Sequence, residues 1–563
     1  MPPTEKIWKI APRIDAAIEQ NLAHHPALLR QILFNRGHHT AQAASEYLGA
    51  QPPHDNDPLR MKDMGVAVER IAYAIQHGET IVVYGDYDAD GVTATALLVQ
   101  AIQALGGQAR GYIPDRFEEG YGLNVAALQT LHAQGAALVI SVDCGIRSLA
   151  EAAEARRLGL DLIITDHHSP GPELPDALAI INTKQAGDEY PEKQLAGVGT
   201  AYKLAVALRN RLQPQADALA GLDLVALGTV ADMVPLAGEN RWLVRQGLEL
   251  IRRPTRQGLL SLMGAAGVKP AKVSAGDIGY MLGPRLNAAG RMENAKAAYD
   301  LLTTDDVFSA GQLAQYLDLR NKERQELTRS MSASAEVLAT QGDPEALVLF
   351  AFHPEYSSGV VGLAASRLVE RFYRPAIVGQ QGDVFTRASC RSIPHFHITD
   401  ALEQCAELFE NFGGHAAAAG FTIRNERLPE LQERLRAIAA AQLGTLDLRQ
   451  EITVDAELPL SELRPDVLNQ LALLEPTGFG NPQVNLVSRG LQVRSARTVG
   501  AEARHLKLSV SDGHIVYDAI AFGMGEWYSR MPKAIDLLYR FEANEFNGRT
   551  SLQLNVRDLK PAD

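Results

Sequence analysis

One stretch constrains this chain more than any other: Ile81–Gly91, IVVYGDYDADG. Ile81, Val82 and Val83 make a short apolar run suited to a buried strand. The run breaks into three carboxylates, Asp86, Asp88 and Asp90, closed by Gly91. The residues that follow, GVTATALLVQAIQALGG, carry apolar side chains at helical spacing and end in paired glycines, a helix stop. The acids therefore fall at the carboxyl end of a strand, in the turn that opens a helix. Open parallel sheets place their ligands there. Three carboxylates so close together repel one another and need solvent, partners or a cation, and hard divalent ions take oxygen ligands. An acidic surface turn is the other reading of such a string taken alone.

The surrounding chain supports a sheet. From Ile81 to about Lys184 strands and helices alternate: ALVISVDCG, the helical SLAEAAEARRLG, DLIITDHHS and ALAIINTK. That order predicts a doubly wound parallel sheet of the α/β class. At 563 residues the chain exceeds what one core holds, so several domains are expected. Residues 1–80 read as a helical lead-in, with Trp8 as a core or docking residue. Residues 81–300 read as the domain built on that sheet and 301–340 as a bridging helix. A second, smaller α/β domain spans 341–445. From 446 to 563 short alternating segments such as HLKLSVSD and SLQLNVRDL predict a small β-barrel of the oligonucleotide-binding type.

Composition narrows the function. No apolar run approaches ~20 residues, so no membrane span is expected. MPPTEKIWKI lacks an export pattern. Three scattered cysteines, Cys144, Cys390 and Cys405, suggest a reducing cytoplasm and no zinc cluster. A net charge of −13 argues against a protein that coats duplex by charge alone. Any polynucleotide must be held in a local basic groove, with metals neutralising its phosphates.

The opening event recurs. VISVDCG puts Asp143 just past an apolar run, and LIITDHHS puts Asp166, His167 and His168 past another. Any one of these has a plainer explanation, since an Asp can cap a helix and a lone His is more often a core residue. Acids and imidazoles ending three strands of one parallel sheet share an edge. Asp232, in LGTVADMVPL, is an isolated acid in an apolar stretch and wants a cation or partner. Mixed carboxylate and imidazole ligation suits Mn²⁺, and Mg²⁺ would also serve. Four or five such ligands could hold two metals about 3.5–4 Å apart, with no separate general base.

Together VYGDYDADG, SVDCG, TDHH and GTVADMVPL resemble the DHH phosphoesterase superfamily. Further strings resemble its bacterial single-strand-specific 5′-to-3′ DNA exonucleases: IPDRFEEGYGL, LAGVGTAYK, GPRLNAAGRMENA, RASCRSI, FGGHAAAAG and EPTGFGNP. The resemblance runs in the family's order from about Asp57 to Leu559. It implies Asp88, Asp90, Asp143, His167 and Asp232 as metal ligands, with His168 beside the metals. Asp86 and Asp166 would support the ligands from behind. Arg285, Asn287 and Arg291 would grip phosphate. Ser389, Arg391, Ser392, Gly413, Gly414 and His415 would surround the 5′-terminal nucleotide in a substrate-binding domain of the DHHA1 type. Helix-surface charge for the first three, and a tight turn for the GGH string, are the plainer alternatives.

The sequence departs from the family pattern at Tyr84, where relatives often carry His, and at Tyr356 and Ser357, where they commonly show Trp-His. Ala388 stands for a usual glycine and Thr477 for a usual aromatic. The implied activity is stepwise release of 5′ mononucleotides from single-stranded DNA by two-metal hydrolysis, in repair and recombination. The implied partners are single-stranded DNA, a single-strand-binding protein and a helicase, and a cytoplasmic monomer is expected. Rivals are a phosphodiesterase for short oligonucleotides or cyclic dinucleotides, whose members generally lack the barrel, and an inactive single-strand-binding relative.

Overall fold

The computed structural model describes residues 5–562 apart from 53, 117, 216–219, 342, 344, 547 and 548. The first four residues and residue 563 of the expected domains, and Phe117 of the IPDRFEEGYGL string, lie outside the described residues. The chain divides into two compact units. One comprises Trp8–Leu286, Ala295–Ala314 and Ile452–Asp563; the other comprises the residues up to Ile7, Asn287–Asn294 and Gln315–Glu451.

The lead-in is not wholly helical. It opens with strand β1 (Ile7–Ile10), and only then come α1 (Ala16–Asn21), α2 (Ala27–Asn35) and α3 (Ala41–Gly49). IWKI is only four residues long, but four residues suffice for a strand when a neighbour supplies the ladder. Trp8 packs with Val454, Val487 and Leu538, and its Nε1–H donates to Asp558 at 2.7 Å.

α4 (Met64–His77) feeds β2 (Thr80–Tyr84), followed by α5 (Ala89–Ala104), β3 (Gln108–Tyr112), α6 (Val125–Ala133) and β4 (Ala136–Val142). α7 (Leu149–Leu158), β5 (Asp161–Thr165) and β6 (Ala179–Ile181) complete the sheet. All its pairings are parallel, in the order β3-β2-β4-β5-β6. That is a doubly wound order whose direction reverses between β2 and β4, and ligands bind at the carboxyl ends there. Ile81, Val83, Ile140 and Ile163 are buried. Strands covered on both faces read as continuous apolar runs rather than alternating ones. α6 and α7 share a core with one face of the sheet. α8 (Gly197–Leu212), α9 (Leu222–Ala231) and α10 (Gly238–Ile251) follow, with α5 packed against both α8 and α9.

The helix expected over 301–340 is observed as Val307–Thr340. The second sheet takes β7 (Leu349–His353), β8 (Ala376–Gln381), β9 (Phe385–Arg391), β10 (Phe409–His415) and β11 (Ala418–Arg424) in the order β10-β11-β9-β8-β7. β12 (Glu451–Val454) pairs with β1, which explains the early strand. β13 (Ala456–Glu457) leads into β14 (Leu486–Val499), β15 (His505–Ser511), β16 (Val516–Ala521), β17 (Ala534–Phe546) and β18 (Arg549–Pro561). A β14–β17 pairing closes these last five strands into the expected barrel.

Candidate metal centre and substrate site

Strand ends place the acids. Tyr84 ends β2 as a buried residue whose hydroxyl donates to the Gly122 carbonyl at 3.1 Å. Asp88 caps α5, its Oδ1 accepting the N–H groups of Asp90 and Gly91 at 2.9 and 3.1 Å. Asp90 is 1% exposed, and its two oxygens accept the N–H groups of Gly197 at 2.7 Å and Val198 at 2.9 Å. These amides begin α8 and have no partner inside their own helix. One helix start thus holds the acid of another.

Asp143 follows β4 with a left-handed backbone, φ 62°. Aspartate tolerates that region better than most residues. His167 Nε2 is the meeting point. It lies 3.1 Å from Asp143 Oδ1, 3.6 Å from Asp232 Oδ2 and 4.0 Å from Asp90 Oδ2. Asp232 arrives from the carboxyl end of α9, its N–H bonded to the Gly228 carbonyl at 2.9 Å.

Glycines permit this closeness. A Cβ at Gly197 would stand 2.7 Å from Asp143 Oδ1, and one at Gly228 would stand 2.7 Å from Asp90 Oδ1.

The electrostatics are those of a site lacking counter-charge. Burial first and neighbouring carboxylates second push Asp143 and Asp86 well above the usual range, Asp90 up to about 7 and Asp232 up to about 9. Burial, then His168, pushes His167 down to about 3. Asp86 Oδ1, Asp143 Oδ1 and both ring nitrogens of His167 are buried without an aligned hydrogen-bond partner. Oxygen and imidazole donors lie within 4.8 Å of one another in three groups: Asp143, His167 and His168; Asp90, His167 and Asp232; Asp86, Asp88 and Asp143. Orphaned donors of this chemistry fit a hard or borderline divalent cation such as Mg²⁺ or Mn²⁺. Asp86 offers an oxygen within 4.8 Å of those of Asp88 and Asp143.

Asp166 is spent differently. Its Oδ1 accepts His167 N–H at 2.7 Å, His168 N–H at 3.1 Å and His168 Nδ1 at 2.7 Å, while Oδ2 accepts Ile146 N–H at 3.0 Å. Burial alone would raise it, but the His168 bond and charge lead a set of contacts that hold it below the usual range. For His168, burial opposes and the Asp166 bond outweighs it, so its pKa rises.

The expected substrate residues divide. Arg285 lies in the unit of the acid rim, its Nη1 donating to the Met281 carbonyl at 2.7 Å. Asn287 and Arg291 fall in the other unit. There Arg291 packs on the turn before helix Val361–Phe372, where a Cβ on Gly359 would collide with its carbonyl. Arg391 Nη2 and Ser389 Oγ lie 2.9 and 3.5 Å from where a Gly362 Cβ would stand, at the start of that helix. A helix N-terminus with arginines beside it is an anion site. Ser392 follows Arg391 on the same strand end, its Oγ donating to the Phe396 carbonyl at 2.6 Å. Gly414 takes φ 151°, and His415 pairs with Ala418, which pairs with Arg391. His415 and Arg391 thus share one row of the sheet.

Sequence reading missed the Gly197 and Val198 amides, although LAGVGTAYK contains them. It also missed Tyr121, whose hydroxyl lies 3.5 Å from His168 Nδ1.

Residues 80–229 match the DHH family, N-terminal domain, and residues 344–441 match the DHHA1 domain. With the acid–imidazole rim at the sheet's switch point, this makes the chain an enzyme of the DHH phosphoesterase class. Residues 454–558 match the RecJ OB domain. Over 542 residues the chain is 40% identical to the single-stranded-DNA-specific exonuclease RecJ of Bacillus subtilis (strain 168), spanning 95% of this chain and 68% of that protein. It superposes on the crystal structure of RecJ from Thermus thermophilus in complex with Mn²⁺ with a TM-score of 0.86, at 31% identity, over 99% of this chain and 80% of that one. The Mg²⁺ complex of the same protein gives 0.80 at 30% identity, over 99% and 79%. The chain belongs to the RecJ family of exonucleases. No helix among the described residues is long and apolar enough to cross a membrane.

Proposed function

We propose that this chain removes 5′ mononucleotides stepwise from single-stranded DNA by metal-dependent hydrolysis. One observation supports this above the others: acids from three separate chain segments gather near one neutral, hydrogen-bond-starved imidazole at the sheet's switch point. Asp88, Asp90, Asp143, His167 and Asp232 are the proposed ligands, with Asp86 joining Asp88 and Asp143. Bound Mn²⁺ or Mg²⁺ would supply an activated water and neutralise the phosphoryl oxygens. Asp166 fixes His168 through Nδ1 and leaves Nε2 for the substrate phosphate. Gly197 and Val198 fix Asp90 so that its oxygens stay aimed into the rim.

Arg285 is proposed as a phosphate contact. Arg291, Ser389 and Arg391 at the start of helix Val361–Phe372, with Gly414 and His415 further along the same sheet, would take the terminal nucleotide. The barrel would carry the trailing strand. The working domain limits stay 81–300, 341–445 and 446–563, with 301–340 as the bridging helix. A cytoplasmic monomer acting in DNA repair and recombination beside a single-strand-binding protein and a helicase fits this reading. The test is digestion of 5′- and 3′-labelled single strands with and without Mn²⁺. Release of the 5′ label as mononucleotide, dependent on metal, is expected. Early loss of the 3′ label overturns the polarity, and metal-independent cleavage overturns the site.

A further inference from the structure

Acids follow the three inner strands of the catalytic sheet, and a cation follows each outer one. Past β3 comes Arg116, its guanidinium 5.0 Å from the Tyr87 ring centre and facing the charge of Asp86. Past β6 comes Lys184. Asn182, fully buried, donates from Nδ2 to the His168 carbonyl at 2.9 Å and accepts the Lys184 N–H on Oδ1 at 2.8 Å. One amide side chain thereby ties the lysine's backbone to the turn that carries both imidazoles. The Lys184 side chain is half-buried, and Asp232 and Asp166 are the charges its ammonium feels.

Yet no described carboxylate closes an ion pair with it. Elsewhere in the same domain the ammonium groups of Lys193 and Lys203 are taken by Asp188 and Glu239. An ammonium present only to neutralise the rim would collapse onto an acid. Held back, it keeps up to three N–H donors for another anion.

We infer that Lys184 binds a phosphate of the DNA strand on the Asp232 side of the rim, donating to a non-bridging oxygen. This rests on the exonuclease reading. Lys184→Met and Lys184→Arg are compared in a non-cleaving Asp143→Asn background, by titrating a labelled oligothymidylate in Mn²⁺ across a salt series. Removing one phosphate contact is expected to flatten the slope of log Kd against log salt by about 0.7. In the cleaving background Lys184→Met raises KM about tenfold, and Lys184→Arg restores most of both. A structural role would weaken binding equally at every salt concentration. An unchanged slope, or an unchanged KM, overturns the inference while wild-type cleavage leaves the exonuclease reading intact. A wild-type protein that cleaves no single strand overturns that reading itself.

Discussion

Gly228→Ala adds one methyl group where α9 meets the acid cluster. The new Cβ would collide with Thr93 Oγ1 and stand 2.7 Å from Asp90 Oδ1 and 2.8 Å from Val198 Cγ1. None of these neighbours is free to yield. Thr93 Oγ1 donates to the Ala89 carbonyl at 2.7 Å, Asp90 is gripped by two amides, and Val198 is fully buried. Relief therefore requires α9 to move by about 1 Å, taking Asp232 with it, and a displacement of that size costs about 100-fold in rate. That loss corresponds to about 2.7 kcal/mol of transition-state stabilisation. Overpacking costs about 1–3 kcal/mol, and alanine's better helix propensity offsets about 1 of it, so the fold survives. Single-turnover digestion of an end-labelled strand at fixed Mn²⁺, beside a circular-dichroism melt, separates the two effects. Thr93→Ala in the same chain removes the nearest obstacle and should recover part of the rate. A Gly228→Ala enzyme within threefold of wild type would show that the acids do not depend on this approach.

Three further outcomes are expected. Asp143→Asn abolishes hydrolysis and, by removing a carboxyl whose ionisation is opposed first by burial and then by neighbouring acids, raises the melting point in EDTA. The wild type, but not this variant, gains about 2.7 kcal/mol when Mn²⁺ reaches a hundred times its Kd; equal gains would remove Asp143 from the ligand set. Arg391→Ala raises KM more for 5′-phosphorylated than for 5′-hydroxyl strands, and an equal rise would take Arg391 away from the terminal phosphate. Lys203→Met leaves Glu239 buried beside Tyr190, whose hydroxyl donates to it at 2.5 Å, and costs about 3–5 kcal/mol. Urea unfolding of Lys203→Met and of Lys203→Met/Glu239→Gln measures this, and no recovery in the double variant contradicts it.

The acid rim could be read from the chain because apolar segments gave way to charge, as at Asp86, Asp143, Asp166 and Asp232. Such breaks need no tertiary context to be visible. The groups that discipline those acids could not be read. Gly197 and Val198 lie 107 and 108 residues from Asp90, and a backbone amide leaves no signature of its target. Lys184 looks like any lysine after a strand until Asn182 is seen holding it. β1 was hidden for a related reason: four residues carry too little pattern, and their partner begins at Glu451. PRLNAAGR reads as one phosphate-gripping string, yet the fold assigns Arg285 and Arg291 to different units.

The same domain treats its acids in two ways, and the contrast explains how an acidic protein can keep a metal-hungry centre. Structural acids receive cations: Asp223 meets Arg256 at 2.8 Å, Asp161 meets Arg70 at 2.6 Å, and Glu239 meets Lys203. Rim acids receive amides instead, from Gly91, Gly197 and Val198. An amide orients a carboxylate without cancelling its charge, whereas an arginine or lysine in contact would leave no net field for a divalent ion. Holding Arg116 and Lys184 beyond the outer strands keeps that field intact, and leaves Lys184 for the phosphate inferred above. Affinity for metal and affinity for a polyanion then come from separate charges on one sheet edge, so moving either cation into contact with the acids would weaken both.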